Sequence, residues 1–278
     1  MTTNSSVLIT GCSDGGIGSG LALAFQERGY QVFATARNID KMEALTGLPN
    51  VTLLTLDVVE PSHIDAAVKA VSAQTGGTLS YLINNAGRNH FMPILDETIE
   101  TAREIFEINV WGPVAVTKAF APLLIEAQGT LVNITSIAGH IPLPNMGSYA
   151  ASKRSLEIIS ESLRLELTPF HVKVLSVVTG SVATNGQTYL QNWALPPDSR
   201  YKPIEQSIAQ IVRGHDGIPR SPLTQYATEV VEQILAGAAG RIWCGERAAT
   251  AKEPVEGAAA DQRDRWVMQL WGLDDLSG

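Results

Sequence analysis

The chain alternates short runs of β-branched and aliphatic residues with longer segments of helical periodicity. This alternation is typical of βαβ units, in which helices connect neighbouring parallel strands. It predicts a three-layer α/β fold (αβα), with a doubly wound parallel sheet of about seven strands between two layers of helices. The predicted strands are 7–10, 31–35, 51–55, 81–84, 131–135, 172–178 and 241–244.

Helical periodicity and composition divide the remainder of the chain. The predicted helices are 17–28, 63–74 with Ser62 as N-cap, 98–127 with a kink at Gly112-Pro113, 148–167 and a segment around 228–236. Residues 184–224 are rich in Pro, Gln and Ser, which predicts an irregular insert that serves as a substrate lid.

We expect one catalytic domain over 1–245 and a linker with a C-terminal tail over 246–278. Trp266 and Trp271 share one helical face of the tail, which favours packing on this chain or on a second subunit over membrane attachment.

Composition argues against several classes of function. The 278 residues are enough to bury one sizeable core, and an unpatterned net charge of −8 gives no attraction to nucleic acid. The two cysteines, Cys12 and Cys244, and the five histidines show no metal-ligand spacing, so no metal is expected. No signal-peptide pattern is present and no apolar run approaches about 18 residues. We therefore expect a cytoplasmic protein without a transmembrane segment, and peripheral association with lipid droplets or endoplasmic reticulum stays open.

A glycine-rich turn, residues 11–18, lies between the first strand and the first helix. Glycine allows positive φ and lets backbone N–H groups approach a pyrophosphate at the positive end of a helix. Its position between a strand and a helix favours a Rossmann-type dinucleotide site over an ordinary tight turn. The residues expected to contact the dinucleotide are Gly11, Ser13, Gly16 and Ile17, whereas the charge of Asp14 is expected to face solvent.

The residues after the second strand indicate which dinucleotide fits. An NADH site usually has Asp or Glu there, which accepts hydrogen bonds from the ribose hydroxyls. Residues 34–37 are Ala-Thr-Ala-Arg. Arg37 can pair with a 2′-phosphate that a carboxylate would repel, so the sequence predicts NADPH or NADP as cofactor. A solvated surface arginine is the alternative.

Tyr149 and Lys153 are four residues apart in a predicted helix, so both lie on one face, one turn apart. An ammonium beside a phenol stabilises the phenolate and makes the hydroxyl a usable acid or base near neutral pH. Ser136 ends the fifth strand, at the edge where open α/β sheets bind ligands. These residues predict proton transfer to a carbonyl whose oxygen is held by Ser136.

Together these motifs resemble those of the short-chain dehydrogenase/reductase family. The likeness covers roughly residues 5–185, and its motifs are the glycine turn, Asp57-Val58, Asn84-Asn85-Ala86-Gly87, Asn109, Ser136 and the Tyr149/Lys153 pair. Segments 34–37, 109–113 and 177–180 are most similar to fungal NADPH-dependent 1-acyldihydroxyacetone-phosphate reductases and their relatives, which include reductases of secondary metabolism. The chain departs from the family in a glycine turn that is one residue longer and in Thr179, where proline is usual.

The resemblance implies a role for each matched residue. Tyr149 would protonate the carbonyl oxygen, Ser136 would hydrogen-bond it, and Lys153 would bind the nicotinamide ribose. Asn109 would kink its helix and hold a water in the proton path. Asp57 would contact the adenine, Val58 would lie near it, and Asn85 would lie on the side of the adenosine ribose. Further contacts with the cofactor are implied for Tyr149, Lys153, Gly87, Gly180, Val182 and Thr184.

The implied activity is that of an NADPH-dependent carbonyl reductase, which transfers the pro-S hydride of the nicotinamide to a lipophilic ketone or aldehyde. The small-molecule substrate could be an acyl-dihydroxyacetone phosphate, for which Arg200, Lys202 and Arg213 of the insert are available, or a secondary-metabolite (polyketide) ketone. An oxidative alcohol dehydrogenase, an epimerase or dehydratase, and a non-catalytic dinucleotide sensor are the alternatives.

Two further expectations concern residues outside these motifs. Family likeness implies a homodimer or homotetramer that forms through the helices beginning near Thr98 and Ser148. His90 and His140 follow the Asn-Asn-Ala-Gly and Ser136 segments, so either could line the substrate pocket.

Overall fold

The computed structural model describes residues 5–252, 265 and 268–272. Its strands are β1 (Ser6–Thr10), β2 (Gln31–Ala36), β3 (Val51–Thr55), β4 (Tyr81–Asn84), β5 (Thr130–Ser136), β6 (Lys173–Thr179) and β7 (Gly240–Cys244). Its α-helices are α1 (Ile17–Gln26), α2 (Pro61–Thr75), α3 (Ile99–Phe106), α4 (Gly112–Ala127), α5 (Gly147–Glu166), α6 (Glu205–Val212), α7 (Leu223–Leu235) and α8 (Ala248–Lys252). A π-helical segment, Glu107–Trp111, joins α3 to α4.

The strands form one seven-stranded parallel sheet in the order β3-β2-β1-β4-β5-β6-β7. Ile9 of β1 is aligned with Ala34 of β2 on one side and with Ile83 of β4 on the other. The strand order changes direction between β1 and β4, which opens a crevice at the carboxyl ends of these strands. The predicted doubly wound parallel sheet is confirmed.

Apolar side chains cover both faces of the sheet, as expected of parallel strands with helices on either side. On one face, Phe25 of α1 and Val230 of α7 are fully buried against the strands. On the other face, Val71 of α2 and Phe120 of α4 are fully buried. These two cores fix the carboxyl edge of the sheet, where the predicted site residues lie.

The predicted strands agree with the observed ones to within one residue at each end. The prediction that Ser62 caps α2 is wrong. The helix begins at Pro61, and the side chain of Glu60 is the cap, because it accepts a hydrogen bond from the Ser62 N–H. Proline suits the first helical position since it has no N–H to satisfy there, and this moves the helix start towards the N-terminus.

The long helix is interrupted by the π segment, which ends directly before the kink predicted at Gly112-Pro113. Pro113 has no N–H to donate to the preceding turn, which favours a break in the regular hydrogen-bond ladder. A Cβ on Gly112 would lie 2.6 Å from Val58 Cγ2, so this turn packs tightly against the residues after β3. Segments of this kind are frequent at functional sites, and Asn109 lies within this one.

The stretch from α3 to α4, Ile99–Ala127, is long and apolar enough in composition to cross a membrane. Half of the most apolar part of this stretch is nevertheless buried inside the fold. Val116, Phe120 and Leu124 all pack in the core on one face of the sheet. Core packing therefore accounts for its apolar character.

The insert 184–224 is more regular than predicted. It contains a 3₁₀ segment, Asn185–Leu190, and the helix α6. The prediction of irregular structure is therefore wrong over α6. Ile208 and Ile211 of α6 are buried at helical spacing, but the surrounding Pro, Gln and Ser residues weaken this signal in the sequence.

Part of the C-terminal region folds onto the domain. Ser181 and Glu246 form an antiparallel bridge, and α8 follows within the segment predicted as a linker. Trp271 is buried and packs with residues of the insert. Residues 253–264, Trp266 and the last residues, 273–278, lie outside the described part of the chain.

Candidate active site

The glycine turn is built for a close approach of backbone segments. Gly11 has a φ of +75°, and a Cβ at this position would lie 2.8 Å from the Cα of Ala86. A Cβ on Gly18 would lie 2.4 Å from the carbonyl oxygen of Gly11. Larger residues would push the turn away from β4, so the glycines keep the N-terminus of α1 open at the sheet edge.

Asp14 is half-buried, and its side chain is held by the backbone of the segment after β2. Its two carboxylate oxygens accept hydrogen bonds from the backbone N–H groups of Glu43 (2.9 Å) and Ala44 (3.2 Å). The backbone N–H of Asp14 also donates to the carbonyl of Lys41 at 2.8 Å. The lengthened turn thus ties the segment after β2 to the start of α1.

Arg37 follows β2 directly and its side chain is exposed at the carboxyl edge of the sheet. The preceding residue, Ala36, is buried, and the next one, Asn38, caps a 3₁₀ turn by accepting from the Asp40 N–H. Residues 34–37 contain no carboxylate. The position can therefore take a phosphate without repulsion from its own strand end.

Asn85 joins β4 to the glycine turn. Its side-chain amide donates to the carbonyls of Thr10 (2.8 Å) and Gly11 (3.0 Å), and its backbone N–H donates to Thr10 Oγ1 (3.0 Å). Both amide hydrogens are used in these bonds. The Asn85 side chain therefore holds the glycine turn against the end of β4.

The residues after β3 lie along the same edge. Asp57 Oδ1 accepts from the Val59 N–H at 3.2 Å, and the Asp57 N–H donates to His63 Nδ1 at 3.3 Å. Val58 is buried against Gly112 at the start of α4. These bonds fix the strand end on which contacts with an adenine ring were predicted.

Asn109 brings three segments of the site together. Its Oδ1 accepts from the Arg88 N–H at 2.8 Å, and its Nδ2 donates to the Arg88 carbonyl and to Ser152 Oγ, both at 3.0 Å. A Cβ on Gly87 would lie 3.2 Å from Asn109 Oδ1 and from Lys153 Nζ. Asn109, Gly87 and Lys153 therefore meet at one point.

Lys153 is buried beneath this point. Its Nζ donates to the carbonyl of Ile134 in β5 at 3.0 Å, and burial lowers its pKa from the ordinary value of 10.5 to about 8. Tyr149 is also buried and lies one helical turn before Lys153 on α5. The helix thus presents a phenol and an ammonium side by side beside the end of β5.

Ser136 is the last residue of β5, two residues beyond Ile134. Its Oγ accepts a hydrogen bond from the Ala138 N–H at 3.1 Å. Since this bond uses an oxygen lone pair, the hydroxyl group can still donate a hydrogen bond to a ligand.

Thr179, at the end of β6, occupies the position where proline was expected from family likeness. Its Oγ1 lies 2.6 Å from the hydroxyl of Tyr226 in α7. Burial raises the pKa of Tyr226, so this phenol stays protonated. Threonine therefore attaches the end of β6 to α7 by a buried hydrogen bond.

The loop after β6 returns to the glycine turn. The Gly180 N–H donates to the Cys244 carbonyl at 2.9 Å, and Val182 forms a bridge with Ser221. Thr184 Oγ1 accepts from the Gly186 N–H. The Asn185 N–H donates to the Gly15 carbonyl at 3.0 Å, a contact that no sequence motif indicated.

His140 contacts a buried carboxylate. Its Nε2 lies 2.6 Å from Oε2 of Glu157, a buried carboxylate that also pairs with Arg154 (2.9 Å) and Arg241 (2.6 Å). Its ring also packs against Trp243. The sequence analysis missed Glu157, although its place on the buried face of α5, eight residues after Tyr149, was a visible signal.

His90 contacts a second buried carboxylate. Its Nε2 lies 2.8 Å from Oε1 of Glu97, and Ser148, the neighbour of Tyr149, donates to Glu97 Oε2 at 2.5 Å. Glu97 carries no local sequence signal of burial, and the sequence analysis missed it. Within the described residues, no group of three or more His, Cys, Asp or Glu side chains could hold a metal ion.

The comparison with known proteins agrees with the resemblance seen in the sequence motifs. The family model described as short chain dehydrogenase matches residues 5–195. The chain is 48% identical over 267 residues to the short-chain dehydrogenase ptmH of Penicillium ochrochloron, covering 96% of this chain and 98% of that one. It is 38% identical over 226 residues to the NADPH-dependent 1-acyldihydroxyacetone phosphate reductase of Schizosaccharomyces pombe, covering 80% and 73%.

Among solved structures, a short chain dehydrogenase from Burkholderia cenocepacia in complex with NADP superimposes with a TM-score of 0.74 at 27% identity. The match covers 95% of this chain and 98% of that chain.

We expect Lys153 to make the folded chain more stable as the pH rises from about 8 to 10.5. In this window the unfolded lysine still holds its proton and the folded one has lost it, so unfolding takes up a proton. Lys153 should then contribute a rise of up to about 1.4 kcal/mol per pH unit to the free energy of unfolding. Urea denaturation at successive pH values measures this slope, and Lys153→Met should remove it.

Lys118→Met is the matched control, because Lys118 is exposed on α4. Burial raises the pKa of Cys12 and of Cys244 to about 12, so above pH 9 these two thiols together outweigh the gain from Lys153. Both variants share the thiols, so the difference in slope between the variants measures Lys153 alone. An identical pH slope in the two variants would contradict the assignment to Lys153.

Proposed function

The chain belongs to the short-chain dehydrogenase family, and on this premise we propose that it is an NADPH-dependent reductase of a lipophilic small-molecule carbonyl compound. The observation that carries the proposal is the meeting of Tyr149, Lys153 and Asn109 beside the end of β5, where Ser136 lies. This arrangement offers a proton donor, a cation and a hydroxyl at the edge of the sheet where ligands bind.

The chain's own residues perform the proton chemistry. The Ser136 hydroxyl group donates a hydrogen bond to the substrate's carbonyl oxygen and keeps its proton, since its own oxygen already accepts from the Ala138 N–H. Tyr149 transfers its phenolic proton to the same oxygen as negative charge develops there. Lys153 stabilises the resulting phenolate, with one of its three donors fixed by the Ile134 carbonyl.

The residues at the carboxyl edge of the sheet fit a dinucleotide that carries a 2′-phosphate, such as NADPH. The glycine turn keeps backbone close to the N-terminus of α1, where Gly11, Ser13, Gly16 and Ile17 would hold the pyrophosphate. Arg37 would pair with the 2′-phosphate, and Asp57 and Val58 would border the adenine. Gly87, Lys153, Gly180, Val182 and Thr184 would hold the nicotinamide end. When bound, NADPH supplies the hydride.

The relatives support reduction over the alternatives. The Schizosaccharomyces pombe relative is named as an NADPH-dependent reductase, and the Burkholderia cenocepacia structure contains NADP. A non-catalytic sensor has no need of the paired Tyr149 and Lys153, both of which are buried at the site.

We further propose that the protein is a homo-oligomer. Ile99 of α3, Trp111 of the π segment and Ile158 and Leu165 of α5 are large apolar side chains that are each more than half exposed. They lie on the helices through which family likeness implies subunit pairing, and a second copy of the chain would cover them.

Replacing Tyr149 by Phe should reduce turnover with NADPH by about a hundredfold or more, because the ring still packs but the acid is lost. The binding of NADPH, followed by its fluorescence, should be nearly unchanged. Tyr30→Phe is the matched control, since Tyr30 packs against Phe25 and Tyr81 away from the site. Full activity of the Tyr149 variant would refute this mechanism.

Replacing Arg37 by Ala should raise the KM for NADPH by roughly 10- to 150-fold and leave that for NADH almost unchanged. Adding Ala36→Asp should shift the preference further, because the carboxylate repels the 2′-phosphate and accepts from the free ribose hydroxyls of NADH. Arg103→Ala removes an exposed charge elsewhere and serves as control. Equal weakening of both cofactors would show that Arg37 does not contact the 2′-phosphate.

A further inference from the structure

A buried pair of hydroxyl groups lies at the start of the loop over residues 180–184, which we call the β6 loop. Thr179 Oγ1 lies 2.6 Å from the hydroxyl of Tyr226, which is fully buried near the start of α7. Thr179 Oγ1 also lies 3.4 Å from the carbonyl of Val177, and of these two groups only the threonine hydroxyl can donate. The phenol of Tyr226 is therefore the donor to Thr179 Oγ1.

The β6 loop is also bonded to the residue that leads into α7. The Ser221 N–H donates to the Ser181 carbonyl at 3.0 Å, and the Ala183 N–H donates to the Ser221 carbonyl at 2.9 Å. A single residue, Pro222, separates Ser221 from α7. The β6 loop is therefore held along the N-terminal end of this helix.

The ring of Tyr226 packs where β6 and β7 end. Gly245, the residue after β7, has a φ of +89°, and a Cβ at this position would lie 3.4 Å from Tyr226 Cδ2. The same Cβ would lie 3.3 Å from Val182 Cγ2. Tyr226 and Val182 of the β6 loop therefore meet the chain at the same glycine, which leaves the ring a defined place between the two strand ends.

The same turn of α7 packs against the helix that follows the glycine turn. A Cβ on Gly20 of α1 would lie 3.1 Å from Leu223 Cδ1 and 3.3 Å from Ala227 Cβ. Tyr226 lies between Leu223 and Ala227 in the sequence. One turn of α7 therefore contacts both the helix at the glycine turn and the end of β6, which are the two halves of the proposed cofactor site.

Tyr226 stays neutral in these surroundings. Burial raises its pKa, against the opposing effect of the hydrogen bond with Thr179. The charges that Cys244, Glu229 and Tyr149 can carry raise the pKa further. Tyr226 is therefore not a second acid or base, although it lies within electrostatic range of Tyr149, and its hydroxyl serves as a fixed hydrogen-bond donor.

From these contacts we infer that Tyr226, acting through Thr179, is a positioning residue that fixes the β6 loop for the nicotinamide end of the cofactor. The inference rests on the proposed function, which places Gly180, Val182 and Thr184 at that end. Threonine leaves its own φ free, whereas the proline expected at this position from family likeness would fix φ near about −65°. The hydrogen bond with Tyr226 supplies a restraint that threonine by itself lacks.

The test compares the two ends of the cofactor. Tyr226→Phe keeps the buried ring and removes the hydrogen bond. With an uncharged ketone we expect kcat to fall by about tenfold or more, because a small misplacement of the nicotinamide slows hydride transfer. The Kd for NADPH, measured by its fluorescence, should rise by about fivefold, since the β6 loop must then be ordered on binding. Adenosine 2′,5′-bisphosphate lacks the nicotinamide, so its Kd, measured by competition, should be unchanged.

Variants of Thr179 test whether the two residues act as a pair. Thr179→Val removes the acceptor at nearly constant volume and should show the same losses, whereas Thr179→Ser keeps the hydroxyl and should retain kcat. The double variant Thr179→Val/Tyr226→Phe should lose no more than the more damaged single variant, because both changes remove one bond. Tyr30→Phe is the matched control, since its ring packs against Phe25 and Tyr81.

An unchanged kcat in Tyr226→Phe would overturn the inference and leave the proposed reductase intact. Equal weakening of NADPH and of the bisphosphate would also overturn it, because a general loss of structure affects both ends alike. A double variant whose loss is the product of the two single losses would show that the residues act separately. If the wild-type chain binds NADPH but reduces no ketone, the proposed function fails, and the comparison of the two Kd values still decides the role of Tyr226.

Discussion

The side-chain amide of Asn109 is the interaction on which the geometry of the site depends. It binds the backbone of Arg88 through both its oxygen and its nitrogen, and it also donates to Ser152 Oγ. Ser152 lies between Tyr149 and Lys153 on α5. One buried amide therefore joins the end of β4, the interrupted long helix and the helix that carries the reacting groups. The π segment makes this possible, because it brings Asn109 to the point where the three segments meet.

Burial gives the site its chemistry as well as its shape. Lys153 loses most of its hydration, and its Nζ donates to the backbone carbonyl of Ile134 in β5. An ammonium under these conditions interacts strongly with a developing phenolate on Tyr149, since little water remains to screen it. Proton transfer thus depends on the exclusion of water from the space around Lys153 and Tyr149.

Much of the fold could be predicted from the sequence because buried parallel strands are short, apolar and separated by helices. The glycine turn, Tyr149 and Lys153 were recognised because their spacing within one turn or one helix determines their geometry. Asp14 and Glu97 could not be placed in this way. Asp14 caps a turn 29 residues away, and Glu97 meets Ser148 across 51 residues, so their partners depend on tertiary packing. The helix α6 was missed since Pro, Gln and Ser around it obscure its buried isoleucines.

The central claim is that this arrangement delivers hydride and a proton to a carbonyl group. The most direct measurement is the product formed from an uncharged ketone with NADPH carrying deuterium at either the pro-S or the pro-R position of C4. The account predicts that deuterium from the pro-S position appears on the carbinol carbon and slows its formation, whereas deuterium from the pro-R position stays with the cofactor. Cofactor binding without label in any product, or a rearranged product with no consumption of NADPH, would contradict it.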